Sequence, residues 1–257
     1  FKSDSRVGPS PDTHYRFVAQ AGPHFPQAEQ QRPIIVGFGP CGILTALLLA
    51  QMGLKPIVLE RGCEVRQRTK DTWAMWRKRE LNTESNVQFG EGGAGTFSDG
   101  KLYSQVKDRR HLGRKVLSEF VKAGAPNEIL FVSKPHIGTF KLVTMVEKMR
   151  AEIIRLGGEV RFGVKVESLL REQDSGGAGQ VTGRTTGSGE TLLSRHIVLA
   201  IGHSARDTFQ MLLGQGVYIE SKPFSIGFRI EHPQSIIDQA RFGEYAGNAI
   251  LGAADYK

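Results

Sequence analysis

Three glycines and one glutamate have the types and the spacing of an anion-binding turn. The segment GFGPCG places Gly37, Gly39 and Gly42 in a GxGxxG pattern, and Glu60 follows at nearly the expected distance of about 20 residues. The first glycine permits a tight turn, the second lets a diphosphate lie against the backbone, and the third lets the next helix pack closely on the strand. A glutamate at this distance can accept hydrogen bonds from ribose hydroxyls. The spacing therefore predicts a dinucleotide site.

The elements around the turn are those that such a site requires. An apolar strand at about 33–38 precedes it, a helix at about 40–52 opens from it, and a second strand at about 56–60 ends at Glu60. Free N–H groups and the helix dipole at the start of such a helix favour anions. Residues 34–53 are uncharged and long enough to span a membrane. Because glycines and a proline divide the segment, we predict two buried elements and no membrane contact.

A second glycine-rich stretch, NVQFGEGGAGTFSDGK at 86–101, is too irregular for a helix or a strand. A flexible linker is the simplest alternative for such a composition. However, Phe89 and Phe97 bracket the glycines, and Asp99-Gly100 signals a turn. We therefore predict that residues 90–97 line the cofactor cleft, presenting backbone N–H groups, with the two phenylalanines anchored in the core.

The rest of the chain predicts an α/β fold, a Rossmann-like parallel sheet with an inserted antiparallel β-meander. Helices are expected at 64–80, 111–124, 139–158 and 207–214, strands at 159–163, 165–172, 195–202 and 223–233, and a hairpin loop at 174–180. The predicted domains are an extended lead-in at 1–32, a dinucleotide-binding domain at 33–206, and at 207–257 the truncated beginning of an α+β substrate domain.

Several blocks resemble known flavoproteins. The segment IIVGFGPCGILTALLLAQMGLKPIVLERG resembles the ADP-binding segment of glutathione-reductase-like proteins with two dinucleotide-binding domains. More narrowly, LNTESNVQFGEGGAGTFSDGKLYS, KPHIGT and PFSIGFRIEHPQ resemble the bacterial family of uncharacterised FAD-dependent dehydrogenases. The resemblance implies bound FAD, oxidoreductase activity and a substrate domain inserted into the Rossmann core. Members are about twice as long, so we expect this chain to be part of a longer protein.

The resemblance also assigns residues to the cofactor. It places the turn at the diphosphate, the end of the second strand at the adenosine, the glycine-rich loop near the phosphates and the flavin, and the backbone of a later strand at the adenine. Those residues are Gly37, Gly39, Pro40, Cys41 and Gly42; Glu60 and Arg61; Gly92, Gly93, Ala94, Gly95 and Thr96; and Val166. In the strand that closes the sheet it assigns Ala200 and Gly202, with Ile201 where relatives have threonine.

The charge and the cysteine content indicate which partners and which compartment to expect. The net charge is +8, with basic clusters at 66–70, 77–79 and 107–115. An RNA-binding or RNA-modifying flavoprotein is therefore one alternative function, and a non-catalytic dinucleotide-binding module is another. We predict no nucleic-acid partner, because no nucleic-acid motif accompanies these clusters. The two cysteines form no CxxC pair, which favours a reducing, cytoplasmic setting.

The sequence leaves the chemistry beyond FAD open. His136 and His203 are candidate acid–base residues, but a structural or cofactor-lining role explains each as well, so the catalytic residues are unassigned. Trp73 and Trp76 are predicted to be core residues of a basic helix. No metal-ligand spacing occurs, so no metal is predicted. The substrate is expected to be an unidentified small molecule, and NAD(P)H is a candidate reductant although no second GxGxxG of the chain supplies a separate site for it.

Overall fold

The computed structural model describes residues 10–27, 31–104, 106–132, 134–173, 179–187, 189–224, 226–228 and 230–254. The chain divides into two compact units, Phe1–Val217 and Tyr218–Lys257. The strands of the first unit are β1 (Ile34–Val36), β2 (Ile57–Glu60), β3 (Glu159–Phe162), β4 (Val166–Gln173), β5 (Gly179–Thr186), β6 (Thr191–Leu193) and β7 (Ile197–Leu199). Its helices are α1 (Pro40–Gln51), α2 (Val65–Lys78), α3 (Leu112–Lys122), α4 (Thr139–Arg155) and α5 (Arg206–Gly214).

Four strands form a parallel sheet in the order β3-β2-β1-β7. Ile34 lies between Ile57 of β2 and Ile197 of β7, so β1 is a central strand. Both β1 and β2 are short apolar runs that are buried along their whole length. This is the pattern of a parallel sheet that is covered on both faces.

The two faces of the sheet pack against different layers. Ile35 and Val58 join a core formed with α1, α3 and α4, whereas Ile34 and Leu59 pack with Val166 of the meander. The meander is an antiparallel sheet in the order β4-β5-β6. The α/β fold with a parallel sheet and a separate antiparallel sheet is confirmed. The predicted hairpin loop between β4 and β5 lies, for residues 174–178, outside the described residues.

The segment 34–53 forms two elements, as predicted. Gly37, Phe38 and Gly39 separate β1 from α1, and the structure contains no helix, within the residues it describes, that is long and apolar enough to cross a bilayer. The predicted division of the chain at 206/207 differs from the structural one. Helix α5 belongs to the first unit, where the Gln215 side chain accepts a hydrogen bond from the Leu169 N–H and donates one to the Leu169 carbonyl.

The second unit contains α6 (Gln234–Phe242). The strand predicted at 223–233 is wrong for the residues described there, since none of them belongs to a strand. Phe224, Ile226 and Phe228 have the alternating pattern of a half-buried strand, yet their side chains are 81%, 84% and 97% exposed. Alternation alone does not make a strand, because the ladder also requires a neighbouring strand to pair with.

The prediction that Trp73 and Trp76 are core residues is also wrong. Both side chains are exposed, and their rings pack edge to face with centroids 5.5 Å apart. The guanidinium of Arg77 lies 4.5 Å above the Trp73 ring. Helix α2 instead buries the opposite face, which carries Val65, Arg68 and Thr72.

Candidate dinucleotide-binding site

The first and third glycines of the turn are required by contacts within the backbone. Gly37 has φ +98°, and its N–H donates to the Leu59 carbonyl at 2.8 Å. A Cβ on Gly37 would lie 2.4 Å from the Ala200 carbonyl oxygen, and a Cβ on Gly42 would lie 2.0 Å from the Gly37 carbonyl oxygen. A side chain at either position would clash with the backbone, so this turn between β1 and α1 requires glycine at both.

The second glycine has a different environment. Gly39 is the N-cap of α1 in an extended conformation with φ −75°, and no side chain caps the helix. A Cβ there would make an ordinary contact, 3.7 Å from the Gly93 Cα. The start of α1 therefore keeps unpaired backbone donors and a bare surface, which is what a diphosphate needs.

Glu60 stabilises the turn through hydrogen bonds from backbone N–H groups. Its side chain is buried; one carboxylate oxygen accepts the Phe38 N–H at 2.7 Å and the other accepts the Gly62 N–H at 2.8 Å. The carboxylate therefore has a structural role that the sequence did not predict. A carboxylate offers about four acceptor positions, so two backbone bonds leave room for ribose hydroxyls as well.

Replacing Glu60 by glutamine should weaken both the fold and dinucleotide binding. The new NH₂ group would face one of two backbone N–H donors, which leaves a buried donor unsatisfied and costs about 1–3 kcal/mol. We expect this loss in urea unfolding of the apoprotein, together with a drop of about tenfold in FAD affinity.

Glu64→Gln is the matched control, because Glu64 is an exposed acid nearby that pairs with Arg150 at 3.0 Å. Its unfolding free energy should change by less than about 0.5 kcal/mol. Equal changes in unfolding free energy and FAD affinity in the two variants would contradict the role assigned to Glu60.

The glycine-rich loop lies against the turn. The Gly92 N–H donates to the Phe38 carbonyl at 2.9 Å. Gly93 has φ +64°, and a Cβ on it would lie 3.0 Å from Pro40 Cδ and 3.1 Å from the Gly39 Cα. The loop backbone therefore packs on the first residues of α1, which a mobile linker would not do.

Two buried charges hold this loop from the inside, and sequence reasoning missed both. Arg68 is fully buried and donates to loop oxygens, and burial lowers the pKa of Arg68 to about 10. Glu91 accepts the Val65 N–H at 2.7 Å at the start of α2, and burial raises the pKa of Glu91. The sequence did contain a signal for Arg68, since Val65, Arg68 and Thr72 share one helical face.

An ion-pair network lies at the rim of the site. Arg61 donates to Glu84 and to Asp207, the latter at 3.0 Å, and Lys165 lies 2.8 Å from Asp207. The hydrogen bond with Glu84 raises the pKa of Arg61, and the hydrogen bond from Arg61 lowers the pKa of Asp207. The charge of Arg61 is therefore already matched by carboxylates before any ligand binds.

The turn, Glu60, Arg61 and the loop backbone at Gly93 line one open cleft with a volume of about 210 Å³. The cleft lies at the ends of β1, β2 and β7 from which the chain enters its connecting loops. The predicted site residues that line it are Gly37, Gly39, Pro40, Cys41, Glu60, Arg61, Gly93, Ala94, Val166, Ala200 and Gly202.

The remaining predicted site residues do not line the cleft. Gly42 packs on the turn, Gly92 and Thr96 face the interior, and Gly95 is exposed to solvent. Of the two histidines, His203 lines the cleft, whereas His136 forms a strand-like bridge with Lys101 elsewhere. The two histidines are therefore not brought together by the fold.

Comparison with known proteins gives similarities at three levels. A family model described as FAD-dependent protein, C-terminal domain-like, matches residues 223–257. An uncharacterised protein of Clostridium beijerinckii is 48% identical over 226 residues, which cover 88% of this chain and 41% of that protein. The chain thus spans about two fifths of the length of this relative.

Solved structures align with parts of this chain. The crystal structure of Thermovibrio ammonificans THI4 aligns with a TM-score of 0.50 at 18% identity, covering 73% of this chain and 64% of that chain. A 3-ketosteroid-delta4-(5alpha)-dehydrogenase from Rhodococcus jostii aligns with a TM-score of 0.40 at 13% identity, covering 70% of this chain and 48% of that chain. At 18% identity, the likeness to the first of these concerns the fold.

Proposed function

We propose that this chain binds FAD in the cleft and is the cofactor-holding part of an oxidoreductase. The observation that carries the proposal is the convergence of three features on one cleft: the Gly37–Gly42 turn, the loop backbone at Gly93 and the buried carboxylate of Glu60. The match of residues 223–257 to a family described as FAD-dependent supports the choice of cofactor.

The residues present fit the adenosine diphosphate half of the cofactor. The uncapped start of α1 offers backbone donors to the diphosphate, and Glu60 keeps free lone pairs for ribose hydroxyls. Its negative charge also disfavours a ribose that carries a 2′-phosphate. Gly93 and Ala94 present backbone and one methyl group to the cleft, a flat wall that suits an aromatic ring system.

When bound, FAD would supply hydride and electron transfer. The chain's own contribution is to bind and orient the cofactor and to keep water from its diphosphate. We propose a dehydrogenase-type reaction on a small molecule, with NAD(P)H as a candidate reductant.

A thiol in the cleft allows the proposal to be tested without any turnover. Cys41 is exposed in the first turn of α1 and lines the cleft, whereas Cys63 is half-buried. In a Cys63→Ser protein, Cys41 is the only thiol. We expect a yellow holoprotein with flavin absorption bands, and alkylation of Cys41 by N-ethylmaleimide at least about tenfold slower with FAD bound.

Other nucleotides serve as controls in the same assay. ADP should protect Cys41 partly, because it fills the adenosine diphosphate half, and FMN should not protect it. A colourless protein whose Cys41 is protected by NAD but not by FAD would contradict the proposal and would indicate a nicotinamide site.

A further inference from the structure

A single buried arginine of α2 reaches across to the glycine-rich loop. Arg68 is fully buried, and among the described residues the acceptors of its guanidinium all lie within 86–96. Nε donates to the Asn86 carbonyl at 2.8 Å and Nη2 to the Val87 carbonyl at 2.7 Å. Nη1 donates to the Glu91 carbonyl at 2.7 Å and to the Thr96 hydroxyl at 3.1 Å. One rigid fork of donors thus ties together both ends of the loop.

The loop also packs around the arginine itself. A Cβ on Gly90 would lie 2.6 Å from Arg68 Cδ, so the loop backbone touches the aliphatic stem. The guanidinium lies 4.8 Å from the centre of the Phe97 ring, within the range of a cation–π contact. The arginine therefore acts as the core around which this loop is folded.

Packing alone does not explain an arginine at this position. Burying a charge is costly, and an apolar side chain of similar volume usually fills such a space at lower cost. Burial lowers the pKa of Arg68, and the negative charges of Glu60 and Glu91 partly offset this decrease. The hydrogen bonds to the loop are what an apolar side chain could not replace.

These bonds affect the wall that faces the cleft. Three loop carbonyls are turned toward Arg68, so they are withdrawn from the ligand side. The amide of Ala94, which lines the cleft, donates to no other group in the part of the chain that the structure describes. Such a wall offers donors rather than acceptors, which favours an anionic or electron-rich ligand.

We propose that Arg68 is a positioning residue of the cofactor cleft: it holds residues 90–95 against the start of α1 and sets the polarity of that wall. The proposal rests on the cofactor site proposed above. It concerns a residue that touches the loop and not the ligand, so its effect on binding is indirect.

Arg68→Lys tests the proposal, with Arg66→Lys as the matched control. Lysine keeps the charge but loses the fork, whereas Arg66 is an exposed residue of the same helix that pairs with Glu147 at 2.7 Å. We expect Arg68→Lys to lower FAD affinity by at least about tenfold. In the apoprotein, hydrogen exchange of amides 86–96 should accelerate while amides of β1 and β2 remain protected. Arg66→Lys should match the wild type in both.

A milder variant keeps the test decisive if Arg68→Lys does not fold. Thr96→Val removes one acceptor of the guanidinium at nearly constant volume, and it should lower FAD affinity by about threefold with faster exchange of the same amides. A purely structural role would instead lower the thermal midpoint and leave FAD affinity unchanged where the variant is folded.

The outcomes separate the two proposals. FAD affinity within about twofold of wild type, with unchanged protection of 86–96, in every variant that folds would overturn the role of Arg68. If the wild type binds no FAD, the cofactor proposal fails, but exchange of the loop amides in the apoprotein still decides whether Arg68 positions the loop.

Discussion

Gly93→Val should abolish FAD binding and leave the parallel sheet folded. Gly93 has φ +64°, a conformation in which a β-branched residue is strained. Its Cβ would also meet Pro40 Cδ at 3.0 Å and the Gly39 Cα at 3.1 Å, so the added methyl groups must push the loop away from α1. We expect FAD affinity to fall by at least about a hundredfold, since both walls of the diphosphate site are displaced.

The matched control for Gly93 lies two residues away in the same loop. Gly95 has no atom within 4 Å of an added Cβ and has no positive φ. Gly95→Val should therefore retain most of its FAD, measured as the flavin-to-protein absorbance ratio after gel filtration, with circular dichroism to check the fold. Equal loss in the two variants would mean that the loop tolerates no side chain anywhere, and the specific contact with Gly39 would be refuted.

The parts of the fold that could be predicted from the sequence are those with local signals. Gly37, Gly39 and Pro40 interrupt an apolar run, and this alone separates β1 from α1. The apolar run at 57–59 and the helical period of 139–155 are likewise properties of short segments. The placement of the glycine-rich loop against the turn followed from a resemblance and not from any local rule. Phe89 and Phe97, predicted to anchor the loop in the core, are half-buried and belong to neither core cluster of the described residues.

The parts that could not be predicted depend on contacts between distant residues. Arg68 belongs to a basic run that is typical of a solvated surface. The spacing of Val65, Arg68 and Thr72 indicates a shared helical face, but the acceptors that Arg68 binds lie 18 to 28 residues later in the chain. Glu60 needed the positions of Phe38 and Gly62 before its second role could be recognised. The segment 223–233 has a strand pattern, but pairing is a property of two segments, and none of its described residues is in a strand.

Two glycines of the GxGxxG turn should respond differently to replacement by alanine: one change should lower stability and the other should lower FAD affinity. In Gly42→Ala the new Cβ would lie 2.0 Å from the Gly37 carbonyl oxygen. The clash is with backbone at the junction of β1 and α1, so neither partner can rotate away. We expect a loss of about 3 kcal/mol or more of unfolding free energy, at the upper end for overpacking.

Gly39→Ala should instead lower FAD affinity and leave the unfolding free energy nearly unchanged. Its φ of −75° suits any residue, and its Cβ would lie at an ordinary 3.7 Å from the Gly93 Cα, so urea unfolding of the apoprotein should be close to wild type. FAD affinity should nevertheless fall by about tenfold or more, because the methyl group occupies the surface on which the diphosphate must rest. Similar losses of stability in both variants would contradict the geometry of the turn. Wild-type FAD affinity in Gly39→Ala would contradict the site itself, because a diphosphate bound elsewhere would not meet that methyl group.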